Sequence, residues 1–261
     1  MPEVVDRYAG TGDVSVLSRI HDSLMAGYKD DVARYARNAT MRAVIRHCIE
    51  CAPLEAGQRI TFEGFGRSRY RSREVGDAMR TLERAMLLTL LRPTTSTRLP
   101  LHPDRRKRPR LQFLDTGLLN HAAGLTGRYF ERKDLHGIHR GIVAEHVVGQ
   151  ELLARRTDAL LFWVREKSQS SAEVDFLIRH GATPVPVEVK SGTRGTLRSL
   201  HQFMEMSGLG FAVRLWSGGL QVEAMQTPGG ARFHLLSMPY YLAGLLDEYV
   251  DWAMSDAGIG R

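Results

Sequence analysis

The sequence predicts an α/β protein in which a helical N-terminal part precedes a domain built on a mixed sheet. Apolar residues recur at helical spacing through the first third of the chain. The second half alternates in the order helix, strand, strand, strand, helix, strand. A hydrophobic fraction of 43% and a charged fraction of 25% are typical of a globular protein. At 261 residues the chain is long enough for two modest domains.

Four segments are predicted along the chain: a helical lead-in, a winged-helix-like domain, a connector and an α/β domain. They cover residues 1–36, 37–120, 121–137 and 138–261. In the lead-in, Asp13 or Ser15 is the expected N-cap of a helix with an apolar stripe. Because that stripe must bury against something, we interpret the lead-in as a lid-like remnant or a docking surface.

The winged-helix prediction comes from two helices followed by two strands. The first helix is expected from Thr40 to about Cys51, with Pro53 ending it. The second is expected to begin with Ser72 as its N-cap. Its predicted buried residues recur at helical spacing: Val75, Met79, Leu82 and Met86. The strands are expected at 87–93 and 110–117, around a basic, turn-rich stretch.

Such a domain places its later helix in a DNA major groove and its hairpin along the backbone. Winged helices also serve as rigid spacers and protein-docking modules, so both uses stay open. The C-x-x-C pair, Cys48 and Cys51, lies within an apolar helical pattern and no second cysteine pair accompanies it. We therefore interpret these cysteines as part of a helix core rather than as a metal or redox site.

The charge distribution favours a negatively charged partner. The formal net charge is +7 and the pI is near 9.7, and nucleic acid is the commonest polyanion. Much of the excess lies in two short basic segments, and the alternative is a pair of solvated loops. The predicted DNA-binding residues are Arg69, Arg71, Arg73, Arg105, Arg106, Lys107 and Arg108.

Regular elements are expected throughout the second half of the chain. The predicted helices cover 139–155, 196–207 and about 240–254. The predicted strands cover 160–166, 172–179, 185–190 and 211–216, with a further strand pair ending at Leu235. A turn at His180-Gly181 pairs the second and third of these strands as a hairpin.

Charged residues alternate with apolar ones in the two strands of that hairpin. Side chains of a strand alternate between faces, so Glu188 and Lys190 are expected on one face. The same rule places Glu173 beside Asp175, opposite Val174 and Phe176. Asp175 and Glu188 then become neighbours across the hairpin, and two close carboxylates repel each other unless a cation or proton intervenes.

Mg²⁺ suits such a pair, because it prefers oxygen ligands and is commonly held by one or two carboxylates plus phosphate oxygens. Mn²⁺ is its expected substitute. Lys190 would orient or help deprotonate a water and neutralise charge on a phosphate. The predicted catalytic residues are Asp175, Glu188 and Lys190, and the predicted metal ligands are Glu145, Asp175 and Glu188. The alternative is an ordinary exposed strand pair with salt bridges among Asp175, Glu188 and Lys190.

The order of these residues resembles the core of the PD-(D/E)XK nucleases. A helix carrying Glu145 precedes a strand with Asp175, a hairpin, the Glu188-Val189-Lys190 strand, and a helix with Gln202. The resemblance implies a restriction-endonuclease-like domain and a magnesium-dependent deoxyribonuclease activity.

A second resemblance covers almost the whole chain. The segments MPEVVDRY, LQFLDTGLLN, GIVAEHVVGQELL, FWVREKSQSSAEVDFLI and VPVEVKSG look like the C-terminal region of bacterial and archaeal AAA+-type ATPases. There a winged helix and an uncharacterised nuclease-like domain follow the nucleotide-binding domain. This sequence has no G-x-x-x-x-G-K-[ST] loop, so we expect no ATPase activity from it alone. The resemblance implies an ATPase partner in trans, with Met1 an internal start, a truncation or the start of a split gene.

Localisation is expected to be cytoplasmic. No apolar run approaches the ~18–20 residues of a membrane span, and the N-terminus lacks a signal-peptide pattern. Three functions follow as hypotheses. They are a metal-dependent nuclease acting on DNA, a DNA-binding or docking module that uses a nuclease-like fold only for recognition, and an inert fragment of an ATPase machine.

Overall fold

The computed structural model of the chain describes residues 2–125, 137–167, 170–192 and 195–256. The mixed α/β class predicted from the sequence is confirmed. Contacts divide the chain into two compact units. Unit 1 comprises Met1–Leu90 and Pro109–His139, and unit 2 comprises Leu91–Arg108 and Arg140–Arg261.

Unit 1 is mainly helical. Its helices are α1 (Pro2–Thr11), α2 (Val14–Tyr35), α3 (Ala39–Glu55), α4 (Ser72–Arg84) and α5 (Thr116–Ala122). Its strands are the first residues of β1 (Leu88–Thr94), which continues into unit 2, and β2 (Arg110–Phe113). A short 3-10 turn, Phe65–Arg67, precedes α4.

The helix starts in unit 1 are fixed by side-chain caps. Asp13 caps α2 by accepting a hydrogen bond from the Ser15 N–H at 2.8 Å, which confirms the first of the two predicted N-caps. Asn38 accepts from the Met41 N–H at 2.8 Å and caps α3. The prediction that Pro53 stops α3 was wrong, because the helix continues to Glu55. A proline this close to a helix end removes only one intrahelical hydrogen bond.

Helix α4 begins one position earlier than predicted. Ser72 is its first helical residue, and the N-cap is Arg71, whose backbone N–H donates to the Glu74 carboxylate at 2.9 Å. Val75, Met79 and Leu82 are buried as expected. Met86 was predicted to share their face, and this was wrong: it follows the helix, has a φ of 57° and is exposed.

The second strand of unit 1 is shorter than the 110–117 run predicted. It ends at Phe113 because the Asp115 side chain accepts from the Leu118 N–H at 3.1 Å and starts α5. The predicted connector therefore begins as a helix. Residues 126–136 of that connector lie outside the described residues.

The cysteines occupy the helix core that their pattern predicted. Cys48 is fully buried in α3, and burial, with the neighbouring Cys51, raises the pKa of Cys48 to about 12. Burial also raises the pKa of Cys51. Because redox chemistry and metal binding need thiolates, both are disfavoured at this pair.

Unit 2 contains a mixed sheet with helices on both faces. The helices are α6 (Gly137–Arg155), α7 (Arg198–Ser207) and α8 (Leu246–Asp256), the last preceded by a 3-10 turn at Tyr240–Leu245. The strands after β1 are β3 (Leu161–Lys167), β4 (Ser170–His180), β5 (Thr183–Val189), β6 (Phe211–Trp216), β7 (Gln221–Gln226) and β8 (Arg232–Pro239). These elements include the predicted helix, three strands, helix and strand.

The strands of unit 2 are arranged in the order β1-β3-β4-β5-β6-β8-β7. Pairing is parallel for β1 with β3, β5 with β6 and β6 with β8, and antiparallel elsewhere. Helices α6 and α8 cover one face through Val148, Leu152 and Val250. Helix α7 covers part of the other through Leu200 and Phe203. Strands β5, β6 and β8 thus form a parallel group within the sheet, and their carboxyl ends lie at the same edge.

A β-bulge interrupts β4 next to the predicted site. Leu161 pairs with Leu177 but Trp163 pairs with Val174, so Asp175 and Phe176 together face one residue of β3. Val174 consequently packs on the α7 face and Phe176 on the opposite face. The prediction that these two residues share a face was wrong, because strict alternation fails at a bulge.

A network of charged side chains connects the end of β4 to the first turn of α8. The Arg156 guanidinium donates to both oxygens of the Asp247 carboxylate at 2.8 Å. His180, at the end of β4, contacts the same carboxylate at 3.3 Å. Burial acts to raise the pKa of Asp247, but these two partners outweigh it and lower the pKa below its ordinary value.

No helix within the described ranges combines the length and the apolar character that a membrane crossing demands.

Two glycines of unit 1 are expected to respond oppositely to alanine. Gly66 has a φ of 61°, and a Cβ there would lie 2.4 Å from the Cys51 sulfur, so Gly66→Ala should lower the free energy of unfolding by about 2 kcal/mol or more. Gly27 lies within α2 with open space around it, so Gly27→Ala should raise it by about 0.5–1 kcal/mol. Urea unfolding of both variants tests this, and equal effects would contradict it.

The Asp247 network is expected to make stability depend on pH. Asp247→Asn should lower the free energy of unfolding at neutral pH by about 1 kcal/mol, a value reduced for partial exposure. A depressed carboxyl pKa contributes stability above the unfolded value of ~3.9 and loses it as pH falls through the folded value. The difference from wild type should therefore vanish in acid.

The matched control is Asp251→Asn, because Asp251 contacts the same histidine at 2.8 Å but its side chain is 73% exposed. Its effect should be less than half that of Asp247→Asn. Denaturant titrations from neutral to acid pH measure both variants. A difference between Asp247→Asn and wild type that stayed constant into acid would show that the carboxylate charge is not responsible.

Candidate functional site

The predicted site lies where β5 ends beside the β4 bulge. The regular ladder between β4 and β5 ends at the pair of Phe176 and Val187. Beyond it, the Asp175 carboxylate accepts a hydrogen bond from the Val189 N–H at 2.7 Å. A side chain thus replaces the backbone partner that β4 would otherwise offer. Asp175 is thereby joined to the residue between Glu188 and Lys190.

Glu188 and Lys190 form an ion pair at the carboxyl end of β5. The Lys190 ammonium donates to Glu188 Oε1 at 2.6 Å. The Glu188 side chain is only 6% exposed and that of Lys190 is 27% exposed. Their neighbours Val187 and Val189 pack into the core on the other face, so the alternation predicted for β5 holds. A carboxylate buried to this degree requires such a partner.

Three predicted site carboxylates influence the charge of Lys190. Burial acts to lower the pKa of Lys190, but the Glu188 carboxylate outweighs this through its charge and hydrogen bond. Asp175 and Glu145 act in the same direction, and the pKa of Lys190 is raised. Glu145, carried by α6, therefore lies within electrostatic reach of the β5 pair.

Gly195 lies beside this site, although no sequence pattern indicates its position there. A Cβ at Gly195 would lie 3.0 Å from Cδ of Lys190. The backbone before α7 therefore packs directly against the lysine stem and limits its movement. A glycine in a loop carries no sequence signal for such a contact, because the constraint arises only when the loop folds back on β5.

The donor set suits Mg²⁺, since both Asp175 and Glu188 offer hard carboxylate oxygens. Within the described ranges, however, no group of three or more His, Cys, Asp or Glu side chains is arranged to hold an ion. An ion here would therefore be held by two carboxylates together with oxygens of a bound phosphate, which is a common arrangement for Mg²⁺. The part of Glu145 as a third ligand stays a prediction.

A wide groove of about 760 Å³ runs along α7. It begins at Thr196, next to Gly195, and its lining includes Arg198, His201 and Gln202. Gln202 is the residue that the sequence comparison with nucleases placed on this helix. The groove is therefore lined in part by polar side chains of α7.

The predicted DNA-binding residues fall into both units. Arg69, Arg71 and Arg73 are exposed in unit 1, around the start of α4. Arg105, Arg106 and Arg108 are exposed in unit 2. Lys107 differs from them, because its ammonium pairs with Glu166 on β3. Each unit thus carries its own cluster of exposed arginines.

Two family models match the chain, and their matched ranges do not overlap. Residues 1–129 match Domain of unknown function (DUF8612). Residues 140–231 match Domain of unknown function (DUF4143), which begins with the first residue of α6 that belongs to unit 2. The second match contains all four predicted site residues. No curated protein matches the chain.

The ion pair is expected to couple its two residues energetically. Lys190→Met should lower the free energy of unfolding by about 2 kcal/mol, because it leaves Glu188 buried without its cation. In a Glu188→Gln background the same substitution should cost less than about 1 kcal/mol. The matched control is the more exposed Lys107–Glu166 pair, whose coupling should stay at or below about 1 kcal/mol. Urea unfolding of the two double-mutant cycles measures this, and zero coupling at Lys190 would contradict the geometry.

Proposed function

We propose that the protein binds DNA and that its unit 2 is a nuclease-like domain hydrolysing phosphodiester bonds with Mg²⁺. The observation that carries the proposal is the approach of Asp175, Glu188 and Lys190 at one strand end, beside a bulge. Bulges are over-represented next to active sites, where they redirect a side chain. The same residues, in the same order along the chain, resemble the PD-(D/E)XK core.

Each residue has a distinct part in this proposal. Asp175 and Glu188 would hold the ion with phosphate oxygens of the DNA, and the ion would polarise the phosphoryl group and activate a water. Lys190, as an ammonium held beside Glu188, stabilises negative charge on the phosphate under attack. The Val189 N–H fixes the orientation of Asp175, and Gly195 restrains the lysine stem.

Charge supports DNA as the substrate. The chain carries 36 lysines and arginines against 29 acidic residues, although its proposed site is acidic. Exposed arginines in both units supply sites for the backbone phosphates, the contacts that dominate non-specific affinity for DNA. The positive charge outside the site therefore offsets the repulsion between the catalytic carboxylates and the DNA.

A second candidate function is recognition without catalysis, as the C-terminal part of an AAA+-type ATPase that acts in trans. One structural observation favours it. Lys190 already compensates the negative charge of Glu188, and the same ion pair is expected if these strands carry ordinary salt bridges and no catalytic site. The match to DUF4143, a domain known in AAA-ATPase-associated contexts, supports the same candidate. In this case the domain would bind DNA equally well with Glu188 replaced.

Supercoiled plasmid incubated with the full chain and Mg²⁺ or Mn²⁺ tests the proposal. Wild type should nick the plasmid, and Asp175→Ala should slow nicking on the order of 10²-fold or more. Glu173→Gln is the matched control, because it removes a carboxylate two residues away on the same strand and should retain most of the activity. Calorimetric titration of each metal should show binding to wild type and its loss in Asp175→Ala.

Three outcomes separate the candidates. Nicking that survives in Asp175→Ala would assign the cleavage to a contaminant or another site. DNA binding without nicking or metal binding would favour the recognition module. A wild-type chain that neither binds DNA nor takes up metal would overturn the proposal as a whole.

A further inference from the structure

A row of polar residues crosses the parallel centre of the sheet and has the predicted catalytic glutamate at one end. Glu188 on β5 is the register partner of Arg214 on β6, and Arg214 is the partner of Ser237 on β8. The residues flanking each of them, such as Val213 and Leu215 around Arg214, pack into the core on the opposite face. Glu188, Arg214 and Ser237 therefore share the face that α7 only partly covers.

Arg214 is held in this row by two polar contacts that compensate its charge only weakly. Its Nε donates to the Ser237 hydroxyl at 3.0 Å, and its Nη2 lies 3.5 Å from a Glu223 oxygen. That oxygen already accepts a shorter hydrogen bond, 2.9 Å, from Gln221. The side chain is 15% exposed. Burial lowers the pKa of Arg214, and the Glu223 charge offsets this only in part.

Trp216 supplies a rigid surface beneath the guanidinium. The Arg214 Cζ lies 3.9 Å from the centre of the Trp216 ring, a stacking distance for a cation on an indole. The indole N–H donates to the Gly219 carbonyl at 2.9 Å. A Cβ at Gly218 would lie 2.5 Å from the ring, so only glycine permits this turn. We call the pair the Arg214–Trp216 shelf.

Arg214 can donate a further hydrogen bond from the shelf. Within the part of the chain that the structure describes, its Nη1 has no hydrogen-bond partner. A stacked, partly buried guanidinium with an available N–H matches the geometry of bidentate phosphate recognition better than a lysine would. Neighbouring strands are ~4.8 Å apart, so the shelf lies one strand away from Glu188, close enough for one bound DNA backbone to reach both.

We propose that the Arg214–Trp216 shelf binds a backbone phosphate of the DNA strand that enters the Glu188–Lys190 site. This inference rests on the proposed function and names one contact of its substrate. Arg214 acts here as a positioning residue: it holds the strand in register, whereas Lys190, and Glu188 through the ion that it would hold, act on the phosphate that reacts.

Fluorescence anisotropy with a fluorescein-labelled DNA duplex, measured over a series of salt concentrations, tests the shelf in the full chain. Arg214→Gln should weaken binding about tenfold and lower the slope of log K against log salt by about one, the value expected for one lost phosphate contact. The matched control is Arg232→Gln. Arg232 is exposed at the amino end of β8, whereas Arg214 lies toward the carboxyl ends of these parallel strands, so the slope of the Arg232 variant should match that of wild type.

Arg214→Lys distinguishes a direct contact with DNA from a purely structural role of Arg214. Arg214→Lys keeps the charge but loses the planar fork, so it should restore the salt slope while binding remains weaker than in wild type. If Arg214→Gln does not fold, as judged by circular dichroism, Arg214→Lys and Trp216→Phe decide the matter. Weakened DNA binding by folded Arg214→Lys and Trp216→Phe supports the shelf, and wild-type affinity in both overturns it.

Failure of the shelf and failure of the proposed function are distinguishable. Wild-type DNA binding with an unchanged slope in Arg214→Gln overturns the shelf alone. Equal loss in Arg214→Gln and Arg232→Gln also overturns it, because the effect would then reflect general charge. Absence of DNA binding by the wild-type chain overturns both.

Discussion

A buried carboxylate needs a compensating cation, and in this protein that requirement determines the arrangement of the whole site. Glu188 is nearly inaccessible to solvent, and Lys190 donates to it at 2.6 Å and compensates its negative charge. The lysine must in turn be held near the end of β5, which the Gly195 backbone achieves by packing on its stem. Glu188 and Lys190 therefore stand two residues apart in the sequence, because residues at that spacing lie on the same face of a strand.

The bulge in β4 explains why an aspartate can join this pair. In a regular hairpin, Asp175 would contribute only a side chain perpendicular to the sheet. The extra residue opposite Phe162 ends the regular ladder and frees the Val189 N–H, which the Asp175 carboxylate then accepts. The orientation of Asp175 thus depends on a backbone irregularity, and the cost of that irregularity is offset by the hydrogen bond that it permits.

Local patterns predicted the elements of the structure well, and their failures have identifiable causes. Apolar periodicity located α6 and α7 within two residues of their ends, and strand alternation gave β6 at its observed bounds. Pro53 and Met86 were misjudged because the effect of a residue near a helix end depends on how many turns remain after it. The bulge at Asp175 could not be foreseen, because it is defined by the register against β3, a tertiary property. Gly195 and Arg214 were missed for the same reason: their roles arise from contacts with Lys190 and across β5-β6.

The same geometry admits a structural and a catalytic interpretation of the ion pair, and the surroundings distinguish the two. An ion pair with a purely structural role requires only that its two charges be balanced. It does not require polar residues on the neighbouring strands. Here the polar row continues from Glu188 to Arg214 and Ser237, burying polar groups across three strands where apolar residues would pack at lower cost. Arg214 stacks on an indole held by a glycine turn. A polar row that begins at a carboxylate and includes the arginine of the Arg214–Trp216 shelf fits the proposal that an extended anion binds beside the ion pair.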